Sequence, residues 1–384
     1  MTSIAIVGAG LMGRLLALTL HRESARLGVQ ITLIDKDDKL GHQSAAYAAA
    51  GLLTPLGEAM HSEANIVEMG FESLKRWPTI LASLDEYTFF QQEGAIMVSH
   101  EQDKGDYLRV QRYLKSYYPQ HQVHELNRQQ LVQLEPEIGR SFNQGLFLPQ
   151  EGQIGNRKLL LALRNQLEKE QVNWQTQCDV KGIAPLANGC RLTIETAKEH
   201  HQTDFDLVID CRGIGANKAI ADPNRLTHLR AVRGELMQLF APGVNISRPI
   251  RLMHPRYQLY IAPKGKGFYV VGATEIESQD NAPMTVRSAM ELLSAAYSVH
   301  AGFAEANIRQ HVCQLRPAFN NNQPKIILKN SLIQVNGLYR HGFLIAPVLL
   351  EQVKQLVEQI TLKHDKPLDE LSYSHLLTVS EHDN

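Results

Sequence analysis

One stretch near the amino terminus constrains the fold more than any other. Residues 3–7 form a short apolar run of the kind found in buried parallel strands. The run leads into Gly8-Ala-Gly-Leu-Met-Gly13 and then into an apolar helical pattern at residues 14–20. A second apolar run, residues 30–34, ends on Asp35. Strand, glycine turn, helix, strand and acid, in this order and spacing, predict a βαβ unit that binds a dinucleotide.

Each position of the glycine turn has a mechanical reason. Gly8 permits the tight turn out of the strand, and Gly13 lets the helix pack closely on it. Gly10 has no side chain, so a pyrophosphate can approach the helix N-terminus, where free N–H groups and the dipole favour negative charge. Asp35 is expected to accept hydrogen bonds from a ribose hydroxyl, and its charge disfavours the 2′-phosphate of NADP. The alternative is a glycine turn in an α/β domain that binds no nucleotide.

Composition narrows the class of protein. The chain has 384 residues, enough for one large domain or two, and 39 Lys+Arg nearly balance 40 Asp+Glu. This balance gives no reason to expect nucleic acid or an anionic membrane as a partner. No apolar stretch reaches the roughly 18–20 residues that cross a bilayer, and the early first strand leads us to expect no signal peptide. The four cysteines lack metal-type spacing, so we predict reduced thiols, no metal site and a cytoplasmic location.

Two later segments repeat the pattern of a strand followed by a glycine turn. Residues 205–210 predict a buried strand that ends at Cys211-Arg-Gly-Ile-Gly-Ala-Asn217. Residues 331–335 predict another strand, followed by the glycine-containing segment 337–347. We expect a helix over 348–360, with its N-terminus placed to stabilise negative charge on a reduced flavin ring. A second glycine turn this late in the chain favours FAD over a simple NAD dehydrogenase.

The intervening segments predict an interleaved organisation. Small residues dominate 44–55, which indicates either helix packing or a backbone that a flat cofactor ring approaches. Residues 103–131 read as polar and helical. We predict a mixed α/β (α+β) fold, in which a Rossmann-like FAD-binding domain alternates with a sheet-based substrate domain. The predicted segments are 1–88, 151–225 and 313–384 for the first domain, and 89–150 and 226–312 for the second.

These motifs, taken in order, resemble the D-amino-acid oxidase superfamily of FAD proteins, and within it the glycine oxidase branch of the thiamine pathway. The resemblance covers nearly the whole chain and rests on the first glycine turn and six further motifs. Those motifs are Ala48-Ala-Ala-Gly-Leu-Leu53, Val232-Arg-Gly-Glu235, Tyr260-Ile-Ala-Pro263, Val271-Gly-Ala-Thr274, Leu315-Arg-Pro317 and Gly337-Leu-Tyr-Arg-His-Gly-Phe-Leu-Ile-Ala-Pro347. The resemblance implies a fold of the D-amino-acid oxidase type with non-covalently bound FAD.

The resemblance also implies a set of site residues. Arg316 falls on the arginine that pairs with the substrate carboxylate, Tyr260 on a tyrosine lining that pocket, and Arg340 on an arginine beside the flavin. Val180 falls on the residue whose backbone meets the adenine. A structural role is the alternative for each side chain: an ion pair for Arg316 and packing within the sheet for Tyr260. The residues expected to bind the cofactor are Gly8, Ala9, Gly10, Leu11, Met12, Gly13, Asp35, Lys36, Ala50, Gly51, Leu52, Val180, Gly213, Gly337, Tyr339, Arg340, His341, Gly342, Phe343 and Leu344.

The activity that the resemblance implies is oxidation of a C–N bond. Such proteins convert an amino acid or secondary amine to an imine, which then hydrolyses. We therefore expect hydride transfer to flavin N5 from glycine, sarcosine or a small D-amino acid, with oxygen or another acceptor reoxidising the flavin. Hydride transfer needs a neutral, aligned amine rather than a strong protein base. A homo-oligomer is compatible with the sequence.

Three alternatives stay open at this point. One is a dehydrogenase that passes electrons to a quinone or dye. Another is a flavoprotein that acts on a protein or has lost turnover, because the turn at residues 318–323 departs from the polar Asp-Gly turn common in the family. Lys264 and Arg212 also depart from the family pattern. A nicotinamide-dependent dehydrogenase is disfavoured by the second glycine turn and by the late segment 337–347.

Overall fold

The computed structural model describes residues 1–218, 222–254, 259–363, 367–377 and 379–380. The helices are Leu11–Arg22 (α1), Ser24–Leu27 (α2), Pro55–Glu58 (α3), Ala64–Ala82 (α4), Lys104–Tyr117 (α5), Arg128–Leu134 (α6), Asn156–Lys169 (α7), Gly215–Lys218 (α8), Val286–Val299 (α9) and Gly342–Leu362 (α10). The strands are Thr2–Val7 (β1), Val29–Ile34 (β2), Leu52–Leu53 (β3), Phe90–Gln91 (β4), Ala95–Val98 (β5), His124–Asn127 (β6), Gln144–Leu148 (β7), Gly152–Ile154 (β8), Asn173–Gln175 (β9), Asp179–Pro185 (β10), Cys190–Glu195 (β11), His200–Phe205 (β12), Leu207–Asp210 (β13), Leu229–Phe240 (β14), Ile250–Leu252 (β15), Leu259–Pro263 (β16), Phe268–Gly272 (β17), Ile276–Glu277 (β18), Asn307–Phe319 (β19), Lys325–Lys329 (β20), Leu332–Asn336 (β21) and Val379–Ser380 (β22). Four sheets organise these strands.

A seven-stranded sheet carries the glycine turns. Its order is β22-β20-β21-β13-β1-β2-β9, and β1 pairs in parallel with both β2 and β13, while β13 pairs in parallel with β21. The predicted unit of strand, glycine turn, helix and strand is confirmed as β1, α1 and β2. Because the carboxyl ends of parallel strands meet at one edge, the three glycine turns that follow β1, β13 and β21 lie side by side.

A nine-stranded sheet forms the other large layer. Its path is β18-β14-β17-β16-β15-β5-β7-β6, and β19 pairs with β14 along nearly its whole length. Two smaller sheets, β10-β11-β12 and β3-β8-β4, complete the fold. The strands of the large sheet come from both segments predicted for the substrate domain, although β19 runs past the predicted boundary at 312/313 to Phe319. The domain boundaries themselves stay predictions.

The polar stretch 103–131 is not one helix, so this interpretation was wrong. Helix α5 ends at Tyr117, shortly before Pro119, which cannot continue a helix. Strand β6 intervenes, and α6 begins with a capping box at its N-cap, Asn127. The Asn127 side chain accepts from the Gln130 backbone N–H at 3.0 Å, and the Gln130 side chain accepts from the Asn127 N–H at 2.9 Å.

Helix α10 begins at Gly342, six residues earlier than the predicted start at 348. Pro347 therefore lies inside the helix, where it has no N–H to donate to the carbonyl of Phe343. The indole Nε1–H of Trp77, a fully buried residue of α4, donates to that carbonyl at 3.0 Å instead. Because this donor replaces the missing one, the helix extends back to the glycine turn.

Candidate active site

A cavity of about 940 Å³ opens along the edge where the three glycine turns meet. It continues between the small-residue segment around Ala48–Leu52 and one face of the nine-stranded sheet. All the residues predicted to bind the cofactor line this cavity except Gly13 and Gly337, and Arg316 and Tyr260 line it as well. The structure therefore brings together predicted residues from eight separate segments of the chain.

The first glycine turn has no room for side chains at two positions. Gly8 has a φ of +101°, and a Cβ there would lie 2.6 Å from the carbonyl oxygen of Cys211. A Cβ at Gly13 would lie 1.8 Å from the carbonyl oxygen of Gly8. By contrast, the nearest atom to a Cβ at Gly10 would be 4.0 Å away, so this position opens onto the cavity.

Two helix N-termini face the cavity without a side-chain cap among the described residues. Gly10 is the N-cap of α1 and His341 is the N-cap of α10. In the described part of the chain, no side chain forms a capping hydrogen bond at either position. The first residues of both helices line the cavity. Backbone N–H groups at helix N-termini, together with the dipole, favour anionic groups. The cavity thus presents backbone donors at both of these points.

Asp35 and Val180 lie where the sequence predicts the adenosine end of the site. The Asp35 carboxylate accepts hydrogen bonds from the Ala9 N–H and, at 2.7 Å, from the Asp37 N–H. Burial raises the pKa of Asp35, although these two donors oppose that shift. The carbonyl of Val180 accepts from Arg212 Nη1 at 3.0 Å. That carbonyl is therefore already engaged by the protein.

Two buried arginines support this end of the cavity, and sequence reasoning assigned neither of them a role. Arg14 donates from Nε to the Ala9 carbonyl at 2.8 Å and from Nη1 to the Leu160 carbonyl at 2.6 Å. Burial lowers the pKa of Arg14 to about 10. Arg212 forms ion pairs with Asp210 at 2.8 Å and Asp222 at 2.7 Å. The only signal for Arg14 in the sequence is a charge directly after Gly13 within an apolar helix.

Strand register places the other end of the site on one face of the nine-stranded sheet. Arg251 of β15 pairs with Tyr260 of β16, Tyr260 pairs with Gly272 of β17, and Gly272 pairs with Leu236 of β14. Paired residues point to the same side of a sheet. A Cβ at Gly272 would lie 2.7 Å from the Tyr260 hydroxyl oxygen, so the phenol lies directly over bare backbone.

Arg316 lies on the same face and is held by two of the motifs read from the sequence. A Cβ at Gly234 would lie 2.3 Å from the guanidinium carbon Cζ, so this side chain also covers a glycine. Arg316 Nη1 donates to the Thr274 carbonyl at 3.1 Å, and Thr274 Oγ1 donates to Glu235 Oε2 at 3.1 Å. The other Glu235 oxygen pairs with Arg233 at 2.6 Å. Residues 232–235 and 271–274 thus form one support for the Arg316 guanidinium.

Arg316 differs from the neighbouring arginines in its charge balance. Across the described ranges, no carboxylate lies within ion-pair distance of Arg316, and burial lowers its pKa. Arg340, in contrast, pairs with Glu58 at 2.8 Å and with Glu275 at 2.8 Å. Arg251 pairs with the other oxygen of Glu58. We call Glu58, Arg251, Glu275, Arg316 and Arg340 together the charged wall.

The glutamates of the charged wall were missed from the sequence, as was Arg251. Burial alone would raise the pKa of Glu58, but Arg251 and Arg340 hold it well below its usual range. Glu58 is therefore ionised at neutral pH. Glu275 also accepts from the hydroxyl of Tyr339. Glu58 lies on the short helix α3 and Arg251 on β15, and no local pattern in the sequence links them.

Two further titratable groups near the wall, Glu151 and His341, are uncharged at neutral pH. Burial raises the pKa of Glu151 to about 8, although its Oε1 accepts from the Gly57 N–H at 2.8 Å. Burial lowers the pKa of His341 to about 4, despite the nearby Glu58 carboxylate. Because these two groups carry no charge, they leave the charge balance of the wall unchanged.

Lys264 and the turn at residues 318–323, two departures from the family pattern, lie outside the charged wall. Lys264 Nζ donates to Gln153 Oε1 at 3.0 Å and to the Ile154 carbonyl at 3.1 Å, and burial lowers its pKa to about 7. The Ile154 carbonyl faces Gly51, where a Cβ would lie 2.3 Å from it. Along β19 the cavity lining ends at Pro317, so the altered turn lies beyond it.

The cysteines give no sign of a reactive thiol at the site. Cys178, Cys190, Cys211 and Cys313 are all free thiols, and burial raises the pKa of Cys211 well above its ordinary value. A buried thiol of this kind stays protonated and unreactive.

Within the described ranges, no group of three or more His, Cys, Asp or Glu residues is arranged to hold a metal ion. In the same part of the chain, no helix combines the length and apolar character needed to cross a membrane.

The dinucleotide turn, the parallel sheet and the shared cavity define an FAD-dependent oxidoreductase. Residues 3–354 match the family model described as DAO, FAD dependent oxidoreductase, and the chain belongs to this family. It is 33% identical over 358 residues to a Rhizobium etli protein named as a candidate thiamine biosynthesis oxidoreductase, ThiO, covering 93% of this chain and 97% of the relative. The fold is similar to that of a glycine oxidase from Bacillus cereus, with a TM-score of 0.78, 20% identity and 97% of each chain covered. It is also similar to that of an iminodiacetate oxidase from Chelativorans sp., with a TM-score of 0.77, 19% identity, and 99% of this chain and 100% of the other covered.

The residues that line the cavity fit FAD. The open backbone at Gly10 and the uncapped N-terminus of α1 suit a pyrophosphate. The small residues Ala50 and Gly51 leave space for a flat ring beside the sheet face, and the uncapped N-terminus of α10 opens onto the same space. Bound FAD supplies the hydride acceptor that the side chains of the site lack.

Proposed function

We propose that the protein oxidises a small amino acid or secondary amine that carries one carboxylate, with glycine, sarcosine and small D-amino acids as candidates. The observation that carries this proposal is Arg316, a half-buried guanidinium that faces the cavity without a carboxylate partner among the described residues. A buried, uncompensated cation favours an anionic ligand. The glycine oxidase with a similar fold supports a small amino acid as the substrate, and the iminodiacetate oxidase supports a secondary amine, although iminodiacetate itself carries two carboxylates.

Each side chain then has a role toward the substrate. Arg316 binds the carboxylate, since a planar guanidinium can donate two parallel hydrogen bonds to it. Tyr260 adds a hydrogen bond without adding charge, because burial raises the pKa of its phenol and keeps it protonated. Together these contacts fix the α-carbon relative to the rest of the cavity. Arg340 is held in place by Glu58 and Glu275 rather than by the substrate.

The proposed cofactor contacts follow the same geometry. The turn Gly8–Gly13 and Asp35 hold the nucleotide, with Val180 beside the adenine. Gly51 and Leu52 contribute backbone near the ring, and residues Tyr339–Leu344 contribute the N-terminus of α10. Gly213 and Gly337 shape the second and third glycine turns. Both have positive φ values, of +55° and +75°.

The electron acceptor, the assembly and the location are also proposals. We propose oxygen as the acceptor, and a dehydrogenase with a quinone or dye as acceptor is the second candidate. We propose a homo-oligomer in the cytoplasm, and the free thiols support the location. The protein-substrate alternative rested on the turn at residues 318–323, and the position of that turn beyond the cavity lining removes its main support.

The test is an anaerobic titration of the purified, flavin-containing protein. Glycine, sarcosine and D-alanine are added in turn, and bleaching of the oxidised flavin bands by one of them identifies the substrate. Readmitting air then separates an oxidase from a dehydrogenase by the rate at which the colour returns. Arg316→Met should abolish bleaching at the same substrate concentration, whereas Arg309→Met, at an exposed position on the same strand, should not. Flavin that stays oxidised with every small amine would refute the proposal.

A further inference from the structure

The charged wall contains three arginines but has only one positive charge in excess. Glu58 pairs with Arg251 and with Arg340, and Glu275 pairs with Arg340 from the other side. Three arginines against two glutamates leave one net positive charge, and it lies on Arg316. One carboxylate from a ligand therefore makes the wall neutral.

The Glu58 ion pairs are shielded from solvent. The side chains of Arg251, Glu58 and Arg340 are 8%, 12% and 15% exposed. Arg251 also approaches Thr54 Oγ1 at 3.3 Å. Breaking a buried ion pair leaves an uncompensated charge and is strongly unfavourable. A ligand carboxylate therefore cannot readily displace Glu58 from either arginine.

Position within the cavity makes these pairs relevant to the substrate. Arg251 is the neighbour of Tyr260 across the β15–β16 pair, and both residues line the same cavity as Arg316. Arg251, Arg340 and Glu58 all act electrostatically on the Tyr260 phenol, as does Arg316. A substrate bound between Arg316 and Tyr260 therefore shares the cavity with Glu58 and with the two arginines that pair with it.

We propose that Glu58 is a specificity-determining residue that restricts the substrate to a single carboxylate. Glu58 neutralises Arg251 and, together with Glu275, Arg340, so that neither cation is free to bind a second carboxylate. This inference rests on the proposed function and deepens it. A dicarboxylic amine would bring its second negative charge against Glu58, and like charges in a desolvated site strongly disfavour binding.

Two substrates and one variant of equal side-chain size separate the effect of charge from that of size. Sarcosine and iminodiacetate share the secondary amine and one acetate arm, and the second arm of iminodiacetate ends in a further carboxylate. We expect the wild-type holoenzyme to prefer sarcosine by about 100-fold in kcat/KM. In Glu58→Gln the side chain keeps its size but loses its charge, and the preference should narrow by about tenfold or more.

An equilibrium measurement accompanies the kinetics. Methylthioacetate and thiodiacetate carry sulfur in place of the amine nitrogen, so they differ by the same carboxylate. Isothermal titration calorimetry on the holoenzyme should show that the wild type binds methylthioacetate at least about tenfold more tightly than thiodiacetate. Glu58→Gln should narrow that ratio as well. In Glu58→Gln/Arg251→Met the ratio of the two affinities should return most of the way to the wild-type value, because Arg251, the arginine freed by the first substitution, has been removed.

The outcomes distinguish this inference from the proposed function. A wild type that oxidises no small amine, glycine and D-alanine included, refutes the proposed function, while the calorimetry still decides the role of Glu58. A wild type that binds thiodiacetate as tightly as methylthioacetate overturns the inference, and this measurement needs no variant. An unchanged preference in folded, flavin-containing Glu58→Gln overturns it too. Glu58→Asp retains the charge and should retain the preference for one carboxylate.

Discussion

Substitution of Gly234 by alanine tests how Arg316 is positioned. The new Cβ would lie 2.3 Å from Cζ and from Nη2 of Arg316, and 2.6 Å from Nε. Because unstrained contacts between such atoms are about 3.5 Å, the guanidinium must move by about 1 Å. Gly234 has no left-handed φ, so the strand tolerates alanine. The atoms that must yield belong to the end of a long side chain, and the fold should therefore survive.

The expected magnitude follows from the hydrogen bonds at stake. A displaced guanidinium cannot keep both parallel hydrogen bonds to a carboxylate, and one hydrogen bond to a charged group contributes about 1.5–3 kcal/mol. Losing one such bond corresponds to about a 10- to 100-fold weaker affinity for the carboxylate ligand. The free energy of unfolding should change by less than about 2 kcal/mol, because the hydrogen bond at risk within the protein is that from Arg316 Nη1 to the partly exposed Thr274 carbonyl.

The assay combines calorimetric binding of methylthioacetate with urea unfolding of the same preparation. Gly243→Ala is the matched control, since a Cβ at this exposed position would meet no atom within 4 Å. Affinity should be unchanged in the control and reduced in Gly234→Ala. Wild-type affinity in Gly234→Ala would refute the assignment of Arg316 as the carboxylate-binding group. Large losses of stability and flavin together would show that Gly234 is needed for the fold rather than for binding.

Three further predictions concern the cofactor and the core. Gly13→Ala would force a Cβ to within 1.8 Å of the Gly8 carbonyl oxygen, and backbone atoms cannot yield, so the purified protein should lose most of its bound flavin, measured as the flavin-to-protein absorbance ratio. Trp77→Phe removes the donor to the Phe343 carbonyl and should lower the free energy of unfolding by about 1–3 kcal/mol in urea. Glu151 has a pKa raised from 4.5 to about 8 in the folded state, so the unfolded chain ionises first as pH rises. Stability should therefore fall between pH 4.5 and 8, by about 3 kcal/mol at pH 7, and Glu151→Gln should remove this dependence.

Each of these predictions has a control or a contradicting result. Gly105→Ala adds a Cβ that meets nothing within 4 Å and should retain flavin, whereas full flavin content in Gly13→Ala would contradict the close packing at the turn. Wild-type stability of Trp77→Phe would mean that the Phe343 carbonyl has another partner. Equal pH dependence in wild type and Glu151→Gln would assign the titration to a different carboxyl group.

The dinucleotide unit was predictable because its geometry is local. A tight turn, a close helix–strand contact and an exposed helix N-terminus each require glycine at a fixed position, so Gly8, Gly10 and Gly13 appear directly in the sequence. The second and third turns follow the same rule. Parallel strand order then brings all three to one edge, and this order follows from general rules of α/β topology rather than from particular side chains.

The charged wall was not predictable in the same way. Glu58 and Arg251 lie on different elements that meet only when the small-residue segment packs against the nine-stranded sheet. The start of α10 at Gly342 also depends on a distant donor, the Trp77 indole, because Pro347 alone predicts a break. Pairings between distant elements leave no periodic signal in a single sequence.

Arg316 on the sheet face and the N-terminus of α10 differ in the charges that they can stabilise. The carboxylate of an amino acid keeps the same charge in the substrate, the transition state and the product, so an ion pair with Arg316 stabilises all three equally and does not by itself lower the barrier. Arg316 and Tyr260 can increase the rate only by fixing the α-carbon. Charge that develops during the reaction needs donors already aimed at it, and the uncapped N-terminus of α10, at Gly342 and Phe343, opens onto the cavity. Under the proposed function, the sheet face would anchor the substrate, while this N-terminus would favour negative charge on a bound flavin.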